Sequence, residues 1–253
     1  MIWSAADLRA LDGINVGRSE VVYAYVSLED EPSALDEAVL DDEERSRSSR
    51  FIHPRDRRRF VRAHADLRVF LAHCLGVEPA TVRYETGAHG KPRLAPAFPP
   101  LEFNLSHSEE LGLLAVARDV AVGVDVEKER TLPDALSIAD AHFTTAEAKR
   151  LRSLPLSERR TAFFRYWARK EAVIKAGGEG LGRALDSFEV DGTPGATQGV
   201  IRWAGEPRSS TNWLLRDLPA PAGYAAASAV AADVGARVTW RELSIAIPGG
   251  AAT

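Results

Sequence analysis

Residues 120–130 read VAVGVDVEKER, and this stretch constrains the fold more than any other. Val120, Val122, Val124 and Val126 take alternate positions, with Gly123, Asp125 and Glu127 between them. A period-two β-branched pattern of this kind fits a strand with one face in a core. The other face then carries two carboxylates about 6–7 Å apart, which raise each other's pKa unless a cation lies between them. Two readings stand at this point: a strand end running into the solvated turn EKER, or one wall of a site.

The rest of the chain supplies an α+β frame. VVYAYVSL (21–28), LEFNLS and LGLLAVAR read as strands, the last two joined by the polar HSEE. LDEAVLDDEER reads as one helical region with an acidic opening. RRRFVRAHADLRVFLAHCLG and SERRTAFFRYWARKEAVIKAGG are longer amphipathic helices, each closing on glycine. Between them LPDALSIADAHFTTAEAKRLRSL is helical, with Thr144 or Thr145 as cap. Short strands follow around FEV, GVIRWAG, TNWLLRDL and GYAAASAVAA, and IPGGAAT is expected to be a loose tail. Elements of the first half recur in the same order roughly 103–110 residues later. That order predicts two α+β halves meeting face to face, with residues 120–130 near the seam, where ligands are favoured.

Composition bounds the function classes. Of 253 residues 45% are hydrophobic and 27% charged, ordinary for a globular protein. The single Cys74 excludes a disulfide framework or a multi-cysteine metal site. Charges within the first ten residues and the lack of a span-length apolar run predict a cytoplasmic protein outside the membrane. A net charge of −4 argues against general polyanion binding, yet Arg45 to Arg68 holds nine arginines against two acids.

WARKEAVIK changes the weight of the two acids. Glu171 and Lys175 lie one turn apart on a common helix face beside the buried stripe of Phe163, Tyr166, Trp167, Val173 and Ile174. Lys170 lies inside that stripe, where it must snorkel or meet an anion. Asp125, Glu127 and Glu171 make an all-oxygen set suited to Mg²⁺, completed by substrate phosphates, and Lys175 beside it would neutralise a phosphate oxygen. Upstream, GAHGKPRL presents Lys91 in a Gly/Pro-framed turn, and FNLSHSEE places Ser106 and His107 at a strand end. A Ser-His hydrolase is disfavoured because strand neighbours point to opposite faces and no G-x-S-x-G elbow is present.

GKPRL, FNLSHS, GVDVEK, FTTAEAKRL and FRYWARKEAVIKAGGEGL, in this order, resemble the 4′-phosphopantetheinyl transferases of the Sfp type, from about Arg45 to Phe188. The resemblance implies transfer of the phosphopantetheine arm of coenzyme A to a serine of an acyl or peptidyl carrier protein, releasing adenosine 3′,5′-bisphosphate. It implies metal ligation by Asp125, Glu127 and Glu171, with Mg²⁺ the expected cation and Mn²⁺ an alternative. It implies phosphate contacts at Lys175, His107 and Lys91, a coenzyme A contact at Ser106, and a general base at Glu147. Arg45, Arg47 and Arg59 become candidates for the coenzyme A 3′-phosphate, although family positions also fall on Phe60 and near Glu44. The implied fold is an α+β pseudo-dimer of two subdomains, each a small antiparallel sheet packed on helices. Residues 1–122 form the first, residues 123–253 the second, and the site lies at the seam.

A monomer is expected, with the seam completing the site and with neither nucleic acid nor membrane as partner. Two rivals use the same residues differently: a metal-dependent phosphodiesterase or pyrophosphatase with water as nucleophile, and a nucleic-acid binder built on the arginine patch.

Overall fold

A computed structural model of the chain describes residues 1–87, 90–178, 183–196, 202–203, 211–233 and 236–243. The first half runs β1 (Ile2–Trp3), α1 (Ala5–Arg9), β2 (Glu20–Ser27), α2 (Ala34–Val39), α3 (Asp42–Ser48), α4 (Pro54–Leu75), β3 (Tyr84–Thr86), β4 (Pro92–Leu94), β5 (Leu101–Ser108) and β6 (Leu111–Arg118). The second runs β7 (Ala121–Lys128), α5 (Ala135–His142), α6 (Thr145–Ser153), α7 (Leu156–Gly177), β8 (Phe188–Glu189), β9 (Arg202–Trp203), β10 (Thr211–Asp217), β11 (Tyr224–Asp233) and β12 (Thr239–Glu242).

From β2 to β6 and from β7 to β11 the order is the same: a strand, three helices, a short antiparallel pair, then two long strands. Pairing repeats as well, β2-β6-β5 in one half and β7-β11-β10 in the other, all antiparallel. The chain is therefore α+β with two repeated halves.

The first sheet differs from a plain antiparallel one. Both β1 and β12 add to β2 in parallel, so a strand from residues 239–242 belongs to the first sheet rather than the second. An exposed edge on β2 would leave backbone groups open to other chains, and these two strands close it. Trp3 Nε1 donates to the Leu243 carbonyl across the closure at 3.0 Å. A cut at residue 122 therefore does not separate the sheets completely.

Side-chain parity sets the layers. Val21, Tyr23 and Tyr25 of β2 pack against Val122, Val124 and Val126 of β7, forming a core between the two sheets. On the outer face of the first sheet, Val22, Ala24 and Val26 meet Leu67 and Phe70 of α4. On the outer face of the second, Ala227 and Ala229 meet Phe163 and Val173 of α7. The order is helix, sheet, sheet, helix, and burial on both faces explains the continuous apolar runs of β2 and β6.

The helices repeat a further device. α4 and α7 are each 22 residues long and stop at left-handed glycines, Gly76 (φ 67°) and Gly178 (φ 69°). α3 and α6 each open with a capping box, Asp41 with Glu44 and Thr144 with Glu147. Each box glutamate is buried and bound by a cation from the long helix: Arg68 Nε lies 2.6 Å from Glu44 and Lys170 Nζ 2.8 Å from Glu147. Lys170 thus meets an anion inside the apolar stripe.

Two boundaries differ from the sequence reading. The single helical region around residues 35–45 breaks at Leu40 into α2 and α3, because Asp41 caps a new helix. β5 runs on to Ser108 instead of ending at Ser106. The tail IPGGAAT and most of GVIRWAG lie outside the described residues. Among the described residues no helix is long and apolar enough to cross a membrane.

Candidate active site

The site begins with a missing side chain. A Cβ on Gly123 would lie 2.1 Å from the Ala172 carbonyl oxygen and 2.3 Å from the Ala176 amide, so the α7 backbone rests directly on β7. That contact brings Glu171 and Lys175, which flank it along α7, to the face of β7 that carries Asp125 and Glu127. Lys175 Nζ donates to Asp125 Oδ1 at 2.7 Å.

Asp125 is buried, and its second oxygen, Oδ2, has no hydrogen-bond partner among the described residues. Burial raises its pKa even though Lys175 and Ser106 act in the opposite direction. Glu127 is pushed up to about 6, by burial first and by the Asp125 charge second. Burial and then Asp125 raise Glu171 as well. Three carboxylates that disfavour one another's ionisation, one with a buried orphan oxygen, form a donor set that fits a hard divalent cation. Among the described residues no three such side chains already converge as a closed ligand cluster. The Lys175 ammonium supplies part of the compensating charge at 2.7 Å from Asp125 Oδ1.

Across the seam, β5 meets the free edge of β7 with side chains instead of a backbone ladder. Asn104 Oδ1 accepts from the Val124 amide at 2.9 Å, Ser106 Oγ from Val126 at 3.3 Å, and Ser108 Oγ from Lys128 at 3.1 Å. Ser106 also donates to Asp125 Oδ1 and accepts from Lys175 Nζ, both at 2.9 Å. Ser108 donates to Glu127 Oε2 at 2.9 Å. Asn104 and Ser108 share the strand face of Ser106, a role that only the seam contacts reveal.

His107 points the other way on β5 and is exposed. Its crowded surroundings lower its pKa by desolvation, aided by the positive charges of Lys175, His64, Arg59 and Arg47. The cationic side chains of Lys175 and Arg47 thus lie near His107 at the seam beside the acids. His64 was missed from sequence; its ring stacks on Phe60 at 4.1 Å and its Nδ1 lies 3.0 Å from Glu44.

Other expected site residues are engaged elsewhere. Lys91 Nζ donates to the Val122 carbonyl at 3.1 Å and to the Ala176 carbonyl at 3.5 Å, with Glu102 3.5 Å away. It clasps the start of β7 to the end of α7, and desolvation lowers its pKa. Arg45 pairs with Asp42, and Arg59 is held by Glu29 and Glu109. Arg57, Arg58, Arg62 and Arg68 likewise face Glu37, Glu31, Asp36 and Asp41. Of the nine arginines between 45 and 68, Arg47 and Arg50 make no ion pair among the described residues, and Arg47 lies over Phe60. Most of the basic patch is thus ion-paired within the fold.

Glu147 stands apart from the acids. It is fully buried, and its oxygens accept from the Thr144 amide and hydroxyl, from Lys170 and from the Val190 amide. No oxygen faces solvent to take a proton from a protein substrate. In this structure the general-base expectation gives way to a structural role.

Residues 121–229 match the family model described as "4'-phosphopantetheinyl transferase superfamily", and residues 29–119 match "4'-phosphopantetheinyl transferase, N-terminal". The 4'-phosphopantetheinyl transferase HetI of Nostoc sp. is 42% identical over 159 residues, covering 62% of this chain and 67% of the relative. The chain belongs to the 4′-phosphopantetheinyl transferase family. It is also similar to 4'-phosphopantetheinyl transferase Sfp of Bacillus subtilis, 31% identical over 153 residues, 60% of this chain and 66% of that one. The human L-aminoadipate-semialdehyde dehydrogenase-phosphopantetheinyl transferase is 32% identical over 162 residues, 60% of this chain and 52% of that one.

Proposed function

We propose that the chain transfers the 4′-phosphopantetheine arm of coenzyme A to a serine of an acyl or peptidyl carrier protein. The observation that carries this reading is the grouping of Asp125, Glu127, Glu171 and Lys175 on one side of the seam, with His107 on its rim. In the reaction the serine oxygen attacks the β-phosphorus of the coenzyme A pyrophosphate. The bridging P–O bond breaks, adenosine 3′,5′-bisphosphate leaves, and the serine proton passes to solvent.

Mg²⁺ or Mn²⁺ held by Asp125, Glu127 and Glu171 would neutralise charge on the pyrophosphate oxygens. Lys175 can exchange its bond to Asp125 for a phosphate oxygen. His107, on the rim, can donate an N–H to a phosphate; desolvation and the nearby positive charges lower its pKa. Arg47 is the arginine most available to the 3′-phosphate, because Arg45 and Arg59 are held by acids. The core between the sheets joins both halves within one chain, which supports a monomer as the active unit.

The test is mass spectrometry of an apo-carrier protein incubated with enzyme, coenzyme A and Mg²⁺. The carrier is expected to gain one phosphopantetheine, and Asp125→Asn to abolish the gain while keeping the far-ultraviolet circular dichroism of the fold. Bisphosphate release without carrier modification would instead mark a phosphodiesterase.

A further inference from the structure

The β5 side-chain ladder has three rungs with unequal contents. All three satisfy an amide on the free edge of β7, so all three hold the subdomains in register. Asn104 does nothing more among the described residues. Ser106 and Ser108 each spend their hydroxyl proton on a β7 carboxylate, Asp125 and Glu127 respectively. Ser108 is 9% exposed, and its hydroxyl donates to Glu127 Oε2 and accepts from the Lys128 amide. Because that amide fixes Ser108 Oγ to the backbone of the same strand, the bond ties the Glu127 carboxylate to one rotamer. No hydrogen bond engages the other oxygen, Oε1, among the described residues.

We propose that Ser108 is a positioning residue for Glu127, the means by which the first half aims a metal-ligating acid borne by the second. The inference rests on the metal-assisted reading above. Losing the hydroxyl would let the Glu127 side chain swing and would leave the Lys128 amide without its acceptor. Hydrogen-bond partners of ligating carboxylates act in this way, and their loss weakens metal affinity by about 10–100-fold. Asn104 provides the control, since it contributes the same kind of seam bond without touching a carboxylate.

The experiment is titration of Mn²⁺ into the full chain, with free Mn²⁺ read by electron paramagnetic resonance, together with the Mg²⁺ dependence of transfer. Ser108→Ala is expected to weaken Mn²⁺ binding about tenfold or more and to raise the Mg²⁺ needed for half-maximal transfer in parallel. Ser108→Thr, which keeps the hydroxyl, should restore both. Asn104→Ala should lower the thermal midpoint while leaving the Mn²⁺ Kd within about twofold, a separation that a purely structural ladder would not produce. Ser108→Cys, close in size and a weak donor, carries the same expectation as alanine and covers the case in which Ser108→Ala fails to fold. Wild-type Mn²⁺ affinity in the alanine and cysteine variants, or equal weakening by Asn104→Ala, overturns the proposal. If the wild-type chain binds no Mn²⁺, or Asp125→Ala binds it equally well, the metal reading itself falls and the positioning role with it.

Discussion

β2 and β7 occupy equivalent places in the two halves, each eight residues long and each paired with the strand that closes its half. Val22, Ala24 and Val26 stand in β2 where Gly123, Asp125 and Glu127 stand in β7. In the first half those side chains fill a dry core beneath α4. In the second the small residue lets α7 approach closely, and the two acids meet Glu171 and Lys175. The free edges differ as well: backbone strands β1 and β12 close β2, while hydroxyl and amide side chains of β5 close β7. One half uses the scaffold for stability and the other uses it to hold charge.

Making the second half more like the first should break it. Gly123→Val, the residue found in β2, would drive a side chain into the α7 backbone and is expected to abolish the cooperative unfolding transition in thermal denaturation. A smaller loss is expected where the halves are alike. Lys170→Met and Arg68→Met each strand a buried carboxylate, and urea denaturation should show destabilisation by about 3–5 kcal/mol for either. Adding Glu147→Gln to Lys170→Met should recover part of that loss, as expected of a structural pair.

Next comes a pH effect confined to the second half. The Glu127 pKa is raised from 4.5 to about 6, so its protonated form is favoured in the fold. Its contribution to stability is complete below about 4.5 and is lost as pH rises through about 6. Without divalent metal, the thermal midpoint of wild type relative to Glu127→Gln should fall across that window. Mg²⁺ should counter the fall, since it binds the ionised acid. The smallest effect belongs to the exposed pairs of the first half: Arg58→Ala should change stability by no more than about 0.5 kcal/mol in the same denaturation assay.

The carboxylates were legible in sequence because strand parity and the helical four-residue step reduce facing geometry to counting. The repeated order of elements was legible for a related reason, since periodicity and glycine stops mark each element locally. Ser108 is not legible because HSEE reads as a polar turn, whereas β5 runs on through Ser108. The arginine patch looks unbalanced in sequence because its counter-charges, Glu29, Glu31, Glu37 and Asp41, lie upstream of it in the chain. Glu147 carried two signals in FTTAE, a capping box and a catalytic acid. The first describes this structure, since cap, lysine and Val190 amide use the whole carboxylate. β12 left no local trace, because four residues of edge strand acquire meaning only from a partner far away in the chain.

That distant pairing bears on how the protein comes to be folded. Trp3 and Leu243, whose bond accompanies the β2–β12 closure, are 240 positions apart. A contact of such separation can form only after Leu243 has been synthesised, and contacts of this kind slow folding. During synthesis the first sheet would wait with one edge of β2 lacking its C-terminal strand, a surface able to pair with a neighbouring nascent chain. A ribosome-stalled chain ending before Thr239 should therefore be more dependent on chaperones than one that extends past Leu243.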